Sequence, residues 1–356
     1  MKKIMIMAAG TGGHVFPGLA LAEEFKKENV EVCWLGSKNG MEKQWVDTAN
    51  IPFQSIDIKG LRGNGLLGWL LAPLNILKAI FQARKIIKQQ QPDLVLGMGG
   101  FVCGPGGISA KLLGIKLVLH EQNAVPGLTN KLLSKIADLV IVAFPQQKIS
   151  GEHVIELGNP VREGLEDIDI LGAKEKFTIL VLGGSRGALA INKVMPAVLS
   201  KLLVGKKVNL IHQTGQATYE QTLEFYEKET LGVENYQLVS FIENMVEAYE
   251  QADLVICRSG ALTVSELIAA ARPAIMIPFP FAVDDHQTAN ANALVKLKGG
   301  SIIQQDDLNV ERLFKEVDSW FSDSKNVLAS KEIREKRKVG AATKIAQEIC
   351  KELGNR

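Results

Sequence analysis

Residues 91–100 read QPDLVLGMGG, and residues 251–260 read QADLVICRSG. Both begin Gln-x-Asp-Leu-Val, continue through apolar residues and end in a glycine turn. A short continuous apolar run closed by Gly is how a strand buried on both faces of a parallel sheet reads. The pattern extends outward from each copy. Around the first lie KKIMIMAAGTGGH (2–14), VEVCWLG (30–36), GGISAKLLG (106–114), IKLVLHEQNAVPG (115–127) and ADLVIVAF (137–144). Around the second lie KFTILVLGGSRGA (176–188), KVNLIHQTG (207–215), a helical stretch near 218–230, YQLVSFI (236–242) and RPAIMIPFPFAVDDHQTANA (272–291). Strands alternating with helices predict an α/β protein with two doubly wound, Rossmann-like sheets. Ligands of such sheets bind outside the carboxyl ends of the strands. Each glycine or polar loop above sits at such an end, so a cleft between two domains is expected.

The bulk numbers agree with two domains. A chain of 356 residues exceeds what one core usually covers. The net charge of +2 gives no reason to expect a nucleic-acid partner. Cys33, Cys103, Cys257 and Cys350 are far apart and form no CxxC pair, which fits free thiols in a reducing compartment. MKKIMIMAAG has the look of a secretory leader, but its apolar run is short and TGGH follows, so it reads as a first buried strand. No stretch has the roughly 20 apolar residues of a membrane span. The expected boundaries are 1–160 for the first domain and 161–337 for the second, with a hinge in ELGNPVREGLEDIDILGAKEKF (156–177). The helical stretch SKEIREKRKVGAATKIAQEICKEL (330–353) has no strand of its own to cover. A terminal helix at about 338–356 is therefore expected to pack back on the first domain.

Several loops carry chemistry. GTGGHVFPG (10–18) brings glycines to a helix expected to start near Gly18 and run to Lys27. Glycines let backbone approach a ligand, and helix-start N–H groups attract anions; a plain strand–helix turn has the same residues. GGSRGA (183–188) is a second such loop. Neither has the G-x-G-x-x-G spacing of a dinucleotide site, which disfavours a nicotinamide cofactor. His14 follows the first glycines, where the positive end of a helix favours a neutral imidazole suited to general-base work; a structural histidine is the alternative. In CRSGALTVSE (257–266), Glu266 could accept hydrogen bonds from both hydroxyls of a ribose, or be a capping or solvated residue. Arg162, in GNPVR, could clamp a diphosphate or form a surface ion pair. DID (167–169) lies in the charged hinge and reads as solvated linker rather than a metal site, and no His/Cys/Asp cluster suggests a metal elsewhere. IKGLRGNGLLGWLLAPLNILKAIFQARKIIKQ (58–89) mixes leucines, Trp69 and Phe81 with Arg62, Lys78, Arg84, Lys85 and Lys88. Interrupted at Pro73, it suits an anionic membrane interface or a helix with a snorkelling face.

Taken together, GTGGHVFPGLALA, GMGGFVCGPGG, HEQNAVPGLTNKLL, GNPVR, GGSRGA and CRSGALTVSEL resemble, in the same order, the bacterial undecaprenyldiphospho-muramoylpentapeptide β-N-acetylglucosaminyltransferases. The resemblance implies the glycosyltransferase B fold and transfer of GlcNAc from UDP-GlcNAc to lipid I, giving lipid II for peptidoglycan, and so a part in cell shape and division. It implies Thr11, Gly12, Gly13 and Asn123 at the transferred sugar and Arg162 and Ser185 at the diphosphate. It places Ile242 at the uracil edge, and Ala261, Leu262, Thr263, Val264, Ser265 and Glu266 at the ribose and phosphates. Gln287 would reach the sugar hydroxyls, and His14 would be the base toward the muramoyl 4-hydroxyl, with inversion at the anomeric carbon. It implies no cofactor and no metal, and a peripheral place on the cytoplasmic side of the cell membrane, with 61–88 as the contact, centred on Leu66, Leu67, Trp69, Leu70 and Leu71. Three positions depart from the family pattern: Ala9 where Gly is expected, Phe101 in place of Tyr, and DDHQ, with His286, in place of a Gln-Gln pair. A UDP-GlcNAc 2-epimerase, another UDP-sugar transferase of the same fold, or a non-catalytic sugar-nucleotide sensor would share most of these loops.

Overall fold

The computed structural model describes residues 1–10, 12–58, 65–145, 148–172, 174–184, 187–230, 235–322 and 324–354, with the side chains of 65–71 and 283 left out. Thr11, Ser185, Arg62 and the side chains of Leu66, Leu67, Trp69, Leu70 and Leu71 therefore lie outside the described residues. The chain divides into two compact units, Met1–Val161 with Gly340–Arg356, and Arg162–Val339.

The first unit runs β1 (Lys3–Ala8), α1 (Gly12–Lys27), β2 (Glu31–Ser37), α2 (Glu42–Thr48), β3 (Phe53–Ile56), α3 (Gly65–Gln90), β4 (Leu94–Gly99), α4 (Cys103–Leu112), β5 (Lys116–Glu121), α5 (Leu128–Leu133), β6 (Leu139–Val142) and β7 (Val154–Glu156). Its strands form one parallel sheet in the order β3-β2-β1-β4-β5-β6-β7. The order reverses between β1 and β4, which is where a doubly wound sheet opens to a ligand.

The second unit runs β8 (Phe177–Leu182), α6 (Leu189–Leu203), β9 (Val208–Gln213), α7 (Tyr219–Glu229), β10 (Tyr236–Val239), α8 (Met245–Gln251), β11 (Leu254–Cys257), α9 (Ala261–Ala269), β12 (Ala274–Met276), α10 (His286–Lys296), β13 (Gly300–Ile302), α11 (Val310–Asp318) and α12 (Lys325–Lys336). The sheet order is β10-β9-β8-β11-β12-β13, also parallel, with its reversal between β8 and β11. The two quoted repeats are β4 and β11, which occupy equivalent places. In both, the aspartate closes the strand's start: Asp93 accepts from Lys3 N, and Asp253 from Thr178 N.

A last helix, α13 (Ala341–Gly354), belongs to the first unit. Its Ile345, Ala346, Ile349 and Leu353 are buried with Leu21, Ala22 and Phe25 of α1. Fully burying an Ile or Leu is worth roughly 1.5–3 kcal/mol, so this face is a large part of what holds the helix.

Four expectations need correction. The helical stretch 330–353 is not continuous: α12 ends at Lys336 in the second unit, and Gly340, at φ +71°, turns the chain before α13. Helix α1 starts at Gly12 rather than Gly18, so His14 lies in its first turn. Pro17 sits inside it and forgoes only the bond its N–H would have given the Gly13 carbonyl. Helix α3 runs unbroken through Pro73, burying Ala72, Ala79, Ala83 and Ile87 along one face. The hinge is also less of a solvated linker than expected. Leu165, Ile168 and Leu171 are buried, and the carbonyls of Glu166, Ile168 and Asp169 accept from Arg337, Arg334 and Arg272. The Asp167 and Asp169 side chains themselves are exposed.

Candidate functional site

In the first unit the candidate residues gather at the carboxyl ends of β1, β4 and β5. Helix α1 begins there with Gly12, Gly13 and His14. The His14 ring lies against Gly99, whose φ of +121° and missing side chain leave room for it; a Cβ at Gly99 would stand 2.5 Å from Nδ1. His14 Nδ1 is 3.2 Å from Gln122 Oε1. The Gln122 amide, almost fully buried, reaches the Met98 carbonyl at 2.6 Å and His120 Nδ1 at 3.1 Å through Nε2. His120 Nε2 in turn lies 3.0 Å from the Gly158 carbonyl. Burial pushes the His120 imidazole down to about 4, opposed by the Gly158 hydrogen bond and reinforced by His14 nearby.

Asn123 follows on the same loop, its backbone N–H and Nδ2 both donating to Glu121 Oε1. Glu121 is buried and also accepts from Gly127 N and Asn130 Nδ2, so one carboxylate shapes the loop 121–130. A second buried carboxylate, Glu42, accepts from Ser37 N, Ser37 Oγ and, at 3.4 Å, Gly10 N. The first glycine loop therefore carries a negative group at its root, an unfavourable setting for a bound phosphate.

In the second unit the candidates sit at the ends of β8, β10 and β11. Helix α9 opens at Gly260 with no side-chain cap, so the backbone of Ala261, Leu262 and Thr263 presents its first turn. Val264 and Ser265 follow, and Glu266 points back to be buried. Its Oε1 accepts from Arg162 Nε at 2.9 Å and its Oε2 from the Tyr249 hydroxyl at 3.2 Å. Burial raises the Glu266 carboxyl above the usual carboxylate range, while Arg162 and Tyr249 pull it back down. Arg162 thus forms the ion pair that was one of its two readings, with the very residue expected at the ribose. Gln287, on α10, accepts from Phe279 N through Oε1. Ile242, just after β10, is half-buried.

Behind the second glycine loop lies a buried polar cluster. Asn192 Nδ2 donates to Thr214 O, Thr218 Oγ1 and Thr222 Oγ1. Its Oδ1 faces His212 Nε2 at 3.1 Å, and His212 Nδ1 faces the Tyr226 hydroxyl at 2.8 Å. Gly184 N donates to Gln213 Oε1, and any Cβ at Gly187 would overlap Thr218 Oγ1. Gln122, His120, Tyr249, Asn192 and His212 were not singled out in the sequence. Their partners range from 2 residues away, for His120 and Gln122, to 108, for Gln122 and His14, and residue type alone does not mark them.

The comparisons with known proteins concern the chain as a whole. Residues 4–142 match the glycosyltransferase family 28 N-terminal domain and residues 178–349 its C-terminal domain. A protein of Hydrogenovibrio crunogenus, named UDP-N-acetylglucosamine–N-acetylmuramyl-(pentapeptide) pyrophosphoryl-undecaprenol N-acetylglucosamine transferase, is 59% identical over 349 residues, 98% of each chain. A Shewanella denitrificans protein of the same name is 44% identical over 99% of this chain and 98% of its own. The crystal structure of Acinetobacter baumannii MurG is 40% identical and superposes with a TM-score of 0.82, covering 99% of this chain and 100% of that one. The two doubly wound units are those of the glycosyltransferase B fold, and the chain belongs to glycosyltransferase family 28, in the group of these N-acetylglucosamine transferases.

Proposed function

We propose that this chain moves GlcNAc from UDP-GlcNAc to the 4-hydroxyl of the muramoyl sugar of undecaprenyl-pyrophosphoryl-MurNAc-pentapeptide, lipid I, with inversion at the anomeric carbon, to give lipid II. The observation that carries this is the 59% identity, over nearly the whole chain, to a transferase named for that donor and acceptor. His14 takes the proton of the acceptor hydroxyl as its oxygen attacks and the bond to UDP breaks. The first turn of α9 and Arg162 receive the negative charge that grows on the leaving diphosphate. Glu266 accepts the ribose hydroxyls with the lone pairs that Arg162 and Tyr249 leave over, since a carboxylate offers about four. Gly12, Gly13, Asn123 and Gln287 bound the sugar, and Ile242 reads the uracil. Thr11 and Ser185, outside the described residues, keep the roles the family resemblance implies.

A polyprenyl acceptor brings the enzyme to a bilayer, yet no helix among the described residues is long and apolar enough to cross one. We place the enzyme peripherally on the cytoplasmic face, held through 61–88. Support comes from α3, where Leu74, Leu77 and Phe81 are exposed on the side away from the core, with Lys78, Lys85 and Lys88 also exposed. Such a surface joins apolar insertion to attraction for anionic headgroups. The test of the activity is UDP release with and without a lipid I analogue. Acceptor-dependent release is expected; release without acceptor, or epimerised sugar, would point to the epimerase reading, and binding without release to a sensor.

A further inference from the structure

Resting on the reading of His14 as the base, we infer that Gln122 and the buried His120 are positioning residues that hold His14 in the Nδ1–H tautomer, so that Nε2 carries the lone pair offered to the acceptor. The assignment follows from hydrogen-bond directions read inward from a fixed end. The Gly158 carbonyl can only accept, so His120 Nε2 is the protonated nitrogen. His120 is neutral well below pH 7, so its Nδ1 carries a lone pair and accepts from the Gln122 amide. The Met98 carbonyl, 2.6 Å from the same amide nitrogen, also accepts only, which fixes that nitrogen as the NH2 and forbids the flipped amide. Gln122 Oε1 is then the atom that faces His14, and an oxygen acceptor 3.2 Å away requires a hydrogen on Nδ1. No other described residue bonds the His14 ring, and Gly99 closes one side of it.

The chain of bonds spans β4, β5 and the loop before Asn159, whose own Nδ2 donates to the Gln122 carbonyl. Its two fixed ends, the Gly158 and Met98 carbonyls, cannot reverse. In water a histidine side chain favours the opposite tautomer, Nε2–H, which has no lone pair on the outward nitrogen. A histidine without this backing would spend most of its time in the wrong form, and which nitrogen is protonated is set by the bond the other one makes.

The experiment uses the full chain labelled with 15N-histidine and reads the ring nitrogens of its five histidines by long-range 1H–15N correlation. His14→Gln identifies the His14 signals by their loss. In the unaltered protein at pH 8 His14 should show Nδ1 protonated and Nε2 unprotonated. Gln122→Met should turn it toward Nε2–H and lower kcat on the order of 10², with the KM for UDP-GlcNAc unchanged. Nε2–H in the unaltered protein overturns the inference whether or not the variant folds, and so does an unmoved tautomer in a folded Gln122→Met. If the tautomer is as stated but His14→Gln keeps its kcat, the positioning stands and the reading of His14 as base is what fails.

Discussion

In the first unit His120 lies next to the end of β5 with its ring bonded to Gln122 and Gly158; in the second His212 lies next to the end of β9 with its ring bonded to Asn192 and Tyr226. Burial holds both neutral, at about 4 and about 3. The surroundings differ in where the bonds lead. From His120 they run outward, through one amide, to an imidazole on the first turn of a helix. From His212 they run inward, through Asn192, to the Thr218 and Thr222 hydroxyls and the Thr214 carbonyl, packed beneath the loop that includes Gly187. The same buried residue type stands behind the proposed base in one sheet and braces a glycine loop in the other. A neutral buried histidine is a directional connector, one donor and one acceptor, and its function is read from what stands at the open end.

Five experiments would break or sharpen that contrast. His14→Gln should show the largest effect, a loss of roughly 10²–10⁴ in kcat typical of a positioned base, with UDP-GlcNAc affinity unchanged by calorimetry; a normal kcat would return His14 to a structural role. Glu266→Ala should weaken UDP-GlcNAc binding about ten- to a hundredfold, since a hydrogen bond to a charged group is worth roughly 1.5–3 kcal/mol. The ion pair with Arg162 is also lost in that variant, so titrating UDP alongside UDP-GlcNAc separates the ribose contact from the sugar.

Asn192→Leu should lower stability by about 1–3 kcal/mol, because it leaves the buried His212 Nε2 without its acceptor, as read from urea unfolding, with no comparable loss of kcat. The sign of its pH dependence is fixed. His212 stays neutral when folded but titrates near 6.5 when unfolded, so the unfolded chain binds more protons as the pH falls. Stability is therefore lost going down from pH 6.5 toward the folded values near 4 and 3, the His120 share levelling off first. His212→Gln should flatten the slope all the way from pH 6.5 to about 3, and His120→Gln only from 6.5 to about 4; an unaltered slope in both would mean neither ring is held neutral. Least affected should be the Asp167→Ala/Asp169→Ala double variant. Both side chains are exposed, and surface changes fall within roughly ±0.5 kcal/mol, so activity should stay within about twofold.

The central strands were plain in the sequence because burial on both faces makes their apolar runs continuous, as in LVLGMG and LVIC. Three of the four outer strands were not. FQSI, VIE and GSI are three or four residues long and partly exposed, so neither length nor alternation marks them as strands. Helix starts misled for a different reason: glycine and proline argue locally against a helix at 12–17, but the loop's place over β1 and β4 decides. The glycines, His14, Arg162 and Glu266 were legible by type and position. Their mutual bonding was not, since Gln122 stands 108 residues from His14 and Arg162 stands 104 from Glu266. Pairings at that range are products of topology, and only the folded sheet order supplies them.

The return of α13 to the first unit has a consequence for synthesis. The second unit is one uninterrupted segment, Arg162–Val339, whereas the first is completed by Gly340–Arg356, after the second has been made. At about 5–20 residues per second, translating from Arg162 to Arg356 takes roughly 10–40 s. For that interval the face of α1 made of Leu21, Ala22 and Phe25 lacks its cover. The part of the chain made first is thus the last to finish folding. A nascent chain stalled before residue 340 should present a complete second unit beside an open first one, ready for a chaperone or a protease.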